Sequence, residues 1–270
     1  LVTGASGRVG GAVVRALAGR ARVLPAGRDP GPAGVRLDLE ERSTFAAALA
    51  GVNAVFLMRP PAMTRPRAFA PFLDAAVEAG VGRLVFLSVR GVDRVPLLPH
   101  HGIEQEVRAR PFAWTMLRPA DFMQNLETVH RASIARCDEI AVPAGRGRSA
   151  FVDVADVGAV AALALTEPGH EGRAHELTGA EALDFHAVAA TLSEALGRRV
   201  RYRPTSVPRF VWEHCRGGTP VPMALVMSAL YTAQRLGLAE GVTNGVERLL
   251  GRPPGTLGAY AASRREAWGP

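Results

Sequence analysis

Gly4, Gly7 and Gly10 are spaced by three in the opening run Leu1-Val2-Thr3-Gly4-Ala5-Ser6-Gly7-Arg8-Val9-Gly10-Gly11. Glycines in this pattern let a backbone turn tightly, let an anion approach the amide groups, and let the next helix pack close to its strand. The N-terminus of that helix then presents free N–H groups and the positive end of its dipole. The chemistry is the binding of a phosphate. Val9, Val13, Val14 and Leu17 follow at helical spacing, so strand, turn and helix stand in the order that this chemistry requires.

A dinucleotide is the phosphate compound such a turn serves, and the end of the second strand selects which one. Arg22 to Ala26 reads as that strand, followed by Gly27-Arg28-Asp29-Pro30. An acidic side chain here would take the ribose hydroxyls of NAD, whereas an arginine would pair with the 2′-phosphate of NADP. Arg28 favours NADP, with NADPH preferred over NADH, while Asp29 opens a turn before Pro30. Pro25 conflicts with a central strand, since proline removes a ladder hydrogen bond; a strand ending one residue early is the expectation.

The elements that must position these residues alternate along the first two thirds of the chain. Strands are expected at Leu1-Val2, Arg22 to Ala26, Val35 to Leu37, Ala54 to Met58, Leu84 to Ser88, Thr115 to Leu117 and Ala174 to Leu177. Helices are expected at Arg8 to Ala18, Thr44 to Ala50, Arg67 to Ala79, Gly102 to Ala109 and Val157 to Thr166, with Ser43 and Asp156 as N-caps and Gly19, Gly51 and Gly80 as stops. The alternation predicts an α/β fold, a Rossmann-type doubly wound parallel sheet with helices on both faces. After Gly179 the pattern changes: a helix over Asp184 to Leu196 closed by Gly197, a strand over Arg199 to Arg203, then apolar stretches at Phe210 to Trp212 and Met223 to Leu238. The expected division is a dinucleotide-binding core over 1–180 and a smaller, mainly helical substrate lobe over 181–270, with 120–148 contributing to the substrate pocket.

Composition narrows the function classes. The net charge is +7, yet all 32 basic residues are arginine and the chain has no lysine. Schiff-base and pyridoxal chemistry are therefore excluded. The arginines are scattered among acids and form no basic run with interleaved aromatics, so no nucleic acid partner is expected. The longest uncharged apolar stretch, Val157 to Leu165, is about half of a membrane span. Cys137 and Cys215 are far apart and outside any metal-spaced cluster, which fits a reduced, cytoplasmic setting. His170 and His175 flank Glu171 and Gly172 without a third ligand; they read as solvated loop residues, and no metal is expected. The absence of an initial Met, inside a strand, implies that a few residues precede Leu1.

Taken together, the chain resembles the atypical short-chain dehydrogenase/reductases of the NmrA-like type, which include quinone, azo-dye and triphenylmethane-dye reductases. The resemblance rests on the opening run from Thr3 to Gly10, Arg28-Asp29-Pro30, Asp38-Leu39, Val55-Phe56-Leu57-Met58, Leu117-Arg118-Pro119, Phe122-Met123-Gln124-Asn125, Phe151 to Val157 and Glu176-Leu177-Thr178-Gly179. It implies that Gly4, Gly7 and Gly10 hold the pyrophosphate, Arg28 the 2′-phosphate, and Asp38 with Leu39 the adenine, with Thr3, Ser6, Arg8 and Val9 also expected to bind the cofactor. Met58 and Ser88 would then end strands beside the nicotinamide ribose and ring, and Arg59 and His100 are also expected among the cofactor-binding residues.

Ordinary members of that superfamily use a Tyr and a Lys four residues apart as proton donor and ribose ligand. Here the corresponding positions are Pro96 and His100, and the three tyrosines, Tyr202, Tyr231 and Tyr260, all fall in the last third. A cationic dye needs only hydride, and a quinone places charge on an oxygen that water or a histidine can protonate, so the expected substrate is a small aromatic or quinonoid acceptor. His100, Ser88 and Asn125 are the catalytic candidates. His100 would bridge ribose hydroxyls or act as the acid; alternatively it begins a helix. Trp212, Met223, Met227 and Tyr231 line an aromatic pocket or form core. The competing function is a non-catalytic NADP-binding redox sensor that contacts protein partners. The protein is expected to be a monomer or homodimer.

Overall fold

The computed structural model describes residues 1–269. Two compact, interleaved units emerge: 1–119, 154–177 and 245–252 form the first, and 120–153, 178–244 and 253–269 the second. The expected core to residue 180 and lobe from 181 is a simpler division than this one, in which the chain passes between units several times.

The first unit carries seven strands, β1 (Val2–Thr3), β2 (Pro25–Gly27), β3 (Val35–Arg36), β4 (Ala54–Met58), β5 (Arg83–Leu87), β6 (Ala113–Pro119) and β7 (Arg173–Leu177). They pair in the order β3-β2-β1-β4-β5-β6-β7, every neighbour parallel. The helices are α1 (Arg8–Leu17), α2 (Phe45–Leu49), α3 (Ala70–Glu78), α4 (Pro99–Arg108), α5 (Val154–Thr166) and α6 (Gly245–Leu250). This is the doubly wound order, whose reversal between β1 and β4 opens a crevice at the carboxyl ends of the strands. The central strands read as nearly unbroken apolar runs because both faces are covered: Val55, Phe56, Leu57, Leu84, Val85 and Phe86 are all fully buried.

Several expected boundaries change, each for a local reason. Strand two begins at Pro25 instead of Arg22, and the first residue of a strand is where a missing N–H is tolerated; Val2 pairs with Pro25 and its amide reaches the Leu24 carbonyl. Helix α4 starts at Pro99, a turn before Gly102, because proline at the first turn is preset for a helix. It thereby takes in His100 and His101. Asp156 is not an N-cap: α5 starts at Val154, and Asp156, buried in its first turn, pairs with Arg252 at 2.7 Å. Ser43 is not one either; it lies in the 3₁₀ turn Arg42–Thr44 and donates to Glu41 Oε1. His175 is not a solvated loop residue. It sits in β7, buried, with its Nε2 3.4 Å from His170 Nδ1, and burial pushes its pKa down to about 4.

The second unit contains two small sheets, the parallel pair Glu139–Val142 with Arg201–Pro204 and the antiparallel pair Arg148–Ser149 with Leu183–Asp184. Its core gathers Phe151, Phe185, Phe210, Tyr260 and Trp268. Asp184 caps the helix Phe185–Leu196 by accepting the Ala187 amide, and Gly197 ends it at φ +66°. Of the apolar residues expected beyond Pro208, Tyr231 joins this core and donates or accepts a 2.9 Å hydrogen bond with the buried His130, whereas Trp212 stays 58% exposed and Met223 is exposed too. Cys137 and Cys215 are both free thiols.

Candidate functional site

The turn after β1 has the geometry its glycines predict. Gly4 takes φ +63°, and a Cβ there would strike the Met58 side chain; a Cβ at Gly10 would run into the carbonyl of Gly4. Those two glycines close the turn on itself. Gly7 differs: at φ −84° its backbone suits any residue, and a Cβ would meet only the Gly4 carbonyl oxygen, at 3.2 Å. Gly7 is also the N-cap of α1, yet no side chain caps that helix, and the amides of Val9 and Gly10 have no acceptor among the described residues. Orphaned amides at a helix N-terminus beside space that a Cβ would fill are what an incoming phosphate needs, so the residues present fit a dinucleotide.

Around this turn the first unit gathers most of the candidates. Thr3 Oγ1 accepts the Met58 amide at 2.9 Å, pinning β1 to β4 directly below Gly4. Ser6 and Arg8 are exposed on the turn. Arg28 follows β2, exposed, with no hydrogen bond or ion pair among the described residues. After β3, Asp38 Oδ1 accepts the Glu40 amide, and Leu39 is buried in the core, leaving its backbone as the group it offers a ligand. Arg36, close in sequence, is engaged with Glu41.

Ser88 directly follows β5. Its Oγ is buried and makes no hydrogen bond of ordinary geometry, although it lies near enough to Glu104 to help hold that carboxyl low. A buried hydroxyl without a partner is costly unless something supplies one. His100 occupies the first turn of α4. Burial and the nearby Arg59 charge push its pKa down to about 4, against a smaller opposing pull from Glu104, so the ring is neutral near pH 7. Pro96, expected to stand where ordinary members carry a tyrosine, lies in an exposed loop with no group to donate. Asn125 belongs to the second unit, at the start of the short helix Asn125–Thr128, its side-chain amide without a hydrogen bond among the described residues.

Sequence reasoning missed the ionic support beneath the site. Glu104, only 3% exposed, accepts both forks of Arg118 at 3.0 and 2.8 Å and a third contact from Arg108 at 3.2 Å. Arg118 also lies 3.9 Å from Asp93. Hydrogen bonds from Arg118, with the Ser88 hydroxyl nearby, hold the Glu104 carboxyl below its ordinary range despite the opposing effect of burial, which is the largest single influence on it. The signal was present: Glu104 falls between the buried Ile103 and Val107 on the inward face of α4, and a carboxylate there requires a cation.

An open depression of about 590 Å³ is lined by Thr64, Arg65, Pro66, Arg67, Gly102, Gln105 and Glu106, and none of the expected site residues borders it. Among the described residues no group of three His, Cys, Asp or Glu is placed to hold a metal ion, and no helix is long and apolar enough to cross a membrane.

Over its full length the chain is 34% identical to an NAD(P)H azoreductase of Xenophilus azovorans, covering 99% of that protein. It is likewise 34% identical over its full length to a (4-alkanoyl-5-oxo-2,5-dihydrofuran-3-yl)methyl phosphate reductase of Streptomyces griseus, again covering 99% of the relative. Among solved structures, the triphenylmethane reductase of Citrobacter sp. complexed with NADP(H) superposes with a TM-score of 0.84 at 23% identity, covering 97% of this chain and 98% of that one, which shows a shared fold. Residues 1–237 match the NmrA-like family. With the strand order, the glycine turn and this match in agreement, the chain belongs to the NmrA-like family.

Proposed function

We propose that the protein is an NAD(P)H-dependent reductase that delivers hydride to a small aromatic, quinonoid or similarly conjugated acceptor, with NADPH preferred over NADH. The observation that carries this reading is the pairing of an uncapped α1 N-terminus, open at Gly7, with the lack of an acid at the usual proton-donor positions: Pro96 has no proton to give and His100 is neutral. The full-length relatives named for azo and dihydrofuranone reduction support the acceptor class.

In this reading the amides of Val9 and Gly10 bind the pyrophosphate, aided by the α1 dipole. Arg28, free of protein carboxylates, binds the 2′-phosphate, and the backbone at Asp38-Leu39 borders the adenine. Ser88 Oγ gains the partner that the protein does not give it. When bound, the nicotinamide supplies the hydride. An azo nitrogen, a quinone oxygen or a conjugated enolate takes the resulting negative charge at a site where water is a sufficient proton source, and a cationic dye is neutralised outright. A simple ketone would generate a strongly basic alkoxide and would need a positioned acid.

Consumption of NADPH by the purified protein, followed with quinones, azo dyes, triphenylmethane dyes, conjugated lactones and simple ketones, tests the proposal. Turnover with the conjugated acceptors and little with the ketones is expected. Tight NADPH binding with no turnover on any acceptor would overturn it in favour of the redox-sensing role.

A further inference from the structure

Arg59 directly follows β4 and folds back over its own loop. Its Nη1 donates to the carbonyls of Pro60 at 3.2 Å, Pro61 at 2.9 Å and Met63 at 3.1 Å. The three carbonyls gathered around Nη1 tie the guanidinium to its own loop, and its Nε–H points at His100 Nε2, 3.4 Å away. A guanidinium has donors only and keeps its proton in proteins. The imidazole nitrogen that faces it must therefore supply a lone pair, which leaves the ring proton on Nδ1. That Nδ1 has no hydrogen-bond partner among the described residues.

We propose that Arg59 is a positioning residue for His100: by donating to Nε2 from a guanidinium tied to its own loop, it fixes the imidazole as the Nδ1–H tautomer and leaves Nδ1–H as the donor the site offers a ligand. The groups that face the ring are Arg59 from the end of β4, Glu104 one turn further along α4, and the Phe86 ring of β5, whose centroid lies 6.2 Å away. Glu104 would favour a charged imidazole, but its oxygens are already occupied by Arg118 and Arg108, and the Phe86 ring brings no charge. The arrangement therefore carries its positive charge on Arg59 and a directional, neutral donor on His100. Where an ordinary relative of this superfamily has one lysine to provide both, the two tasks are here divided between residues 41 positions apart. The functional part of this inference rests on the reductase reading: the neutral ring can hold a ribose hydroxyl, and the proton for the reduced acceptor comes from water.

The experiment is ¹⁵N NMR of the histidine rings in the cofactor-free, full-length protein, in which a protonated and a lone-pair nitrogen are resolved by chemical shift. His100, assigned by its loss in His100→Gln, is expected to show Nδ1 protonated and Nε2 bare near pH 7. Its titration midpoint should lie well below the ordinary value of about 6.5. Arg59→Met should shift or mix the tautomer and raise the midpoint, with burial still holding it below the ordinary value. Arg59→Lys, which keeps a cation at the position, should hold the midpoint low. A proton on Nε2 in the unaltered protein would overturn the proposal, as would an unchanged tautomer and midpoint in Arg59→Met, or a lysine variant that titrates like free histidine. Should Arg59→Met fail to fold, the unaltered protein and the lysine variant decide the matter. The readout needs no turnover, so failure of the reductase reading would show as unreactive NADPH while the tautomer assignment stands.

Discussion

Replacing Gly7 by valine separates the binding turn from the folding turn. In the structure Gly7 has ordinary extended backbone, and its added Cβ meets one atom, the Gly4 carbonyl oxygen at 3.2 Å, so the chain can accept a side chain there with a shift of a few tenths of an ångström. The expected loss of stability is that of a poorer N-cap, about 1 kcal/mol. The valine methyls would occupy the space through which an anion reaches the amides of Val9 and Gly10. Charge-assisted hydrogen bonds of this kind contribute about 1.5–3 kcal/mol each, so losing two costs on the order of 3–6 kcal/mol, or roughly 10²–10⁴ in affinity. The assay is calorimetric titration of NADPH into the folded variant, with the thermal midpoint recorded in parallel. Gly10→Ala is the contrasting control: its Cβ would run into backbone at Gly4 and Ala5, and that variant should lose the fold itself. A folded Gly7→Val protein that binds NADPH within a few-fold of the original would refute the assignment of the turn as the phosphate site.

The other predictions rest on charge. Arg28→Ala should remove most of the preference for NADPH over NADH, a change of about tenfold or more, read from titrations with both cofactors; equal affinities in the unaltered protein would discard Arg28. Arg118→Ala strips the bidentate partner from a carboxylate that is 3% exposed and should cost on the order of 3 kcal/mol in denaturant unfolding, against which a loss below about 1 kcal/mol would show that Arg108 suffices. Stability should also fall as the pH drops from about 6.5 towards 4. His130, fully enclosed, has its pKa pushed down to about 4 by burial and by His214, so the unfolded chain takes up a proton that the folded state refuses. The slope from His130 alone reaches about 1.4 kcal/mol per pH unit in that window, and His130→Phe should flatten it.

The parallel sheet was legible because its strands are buried on both faces and so appear as uninterrupted apolar runs; Ala54–Met58 matches the structure residue for residue. The glycine turn was legible for a different reason, since residues without a side chain are demanded wherever backbone meets backbone. What the sequence concealed depends on distant partners. Asp156 looks like a cap until Arg252 is brought to it, and Pro25 looks like an obstacle until the strand is seen to start there. The division into interleaved units was equally hidden, because local propensity does not record which body a returning segment joins. His100 is the clearest case: its type and position in the sequence leave acid, ribose ligand and helix-start residue all open, and neither its burial nor the Arg59 side chain beside it can be read from the sequence.

That choice bears on the chemistry of the whole site. A histidine with its ordinary pKa would be a natural substitute for the missing tyrosine, and reduction of simple carbonyls would then remain within reach. Burial beside the Arg59 guanidinium weighs against this option, because an imidazole that is already neutral near pH 7 has no readily released proton. The same surroundings leave Ser88 Oγ and His100 Nδ1 as unpaired polar atoms, suited to gripping a ligand and unsuited to donating a proton to it. Selection among acceptors then falls on the acceptor itself. On the proposed reductase reading, molecules that delocalise the charge delivered with hydride would react without help and those that concentrate it on one alkoxide oxygen would not, so a protein lacking the acid–base pair would still discriminate by a property of the substrate's own electrons.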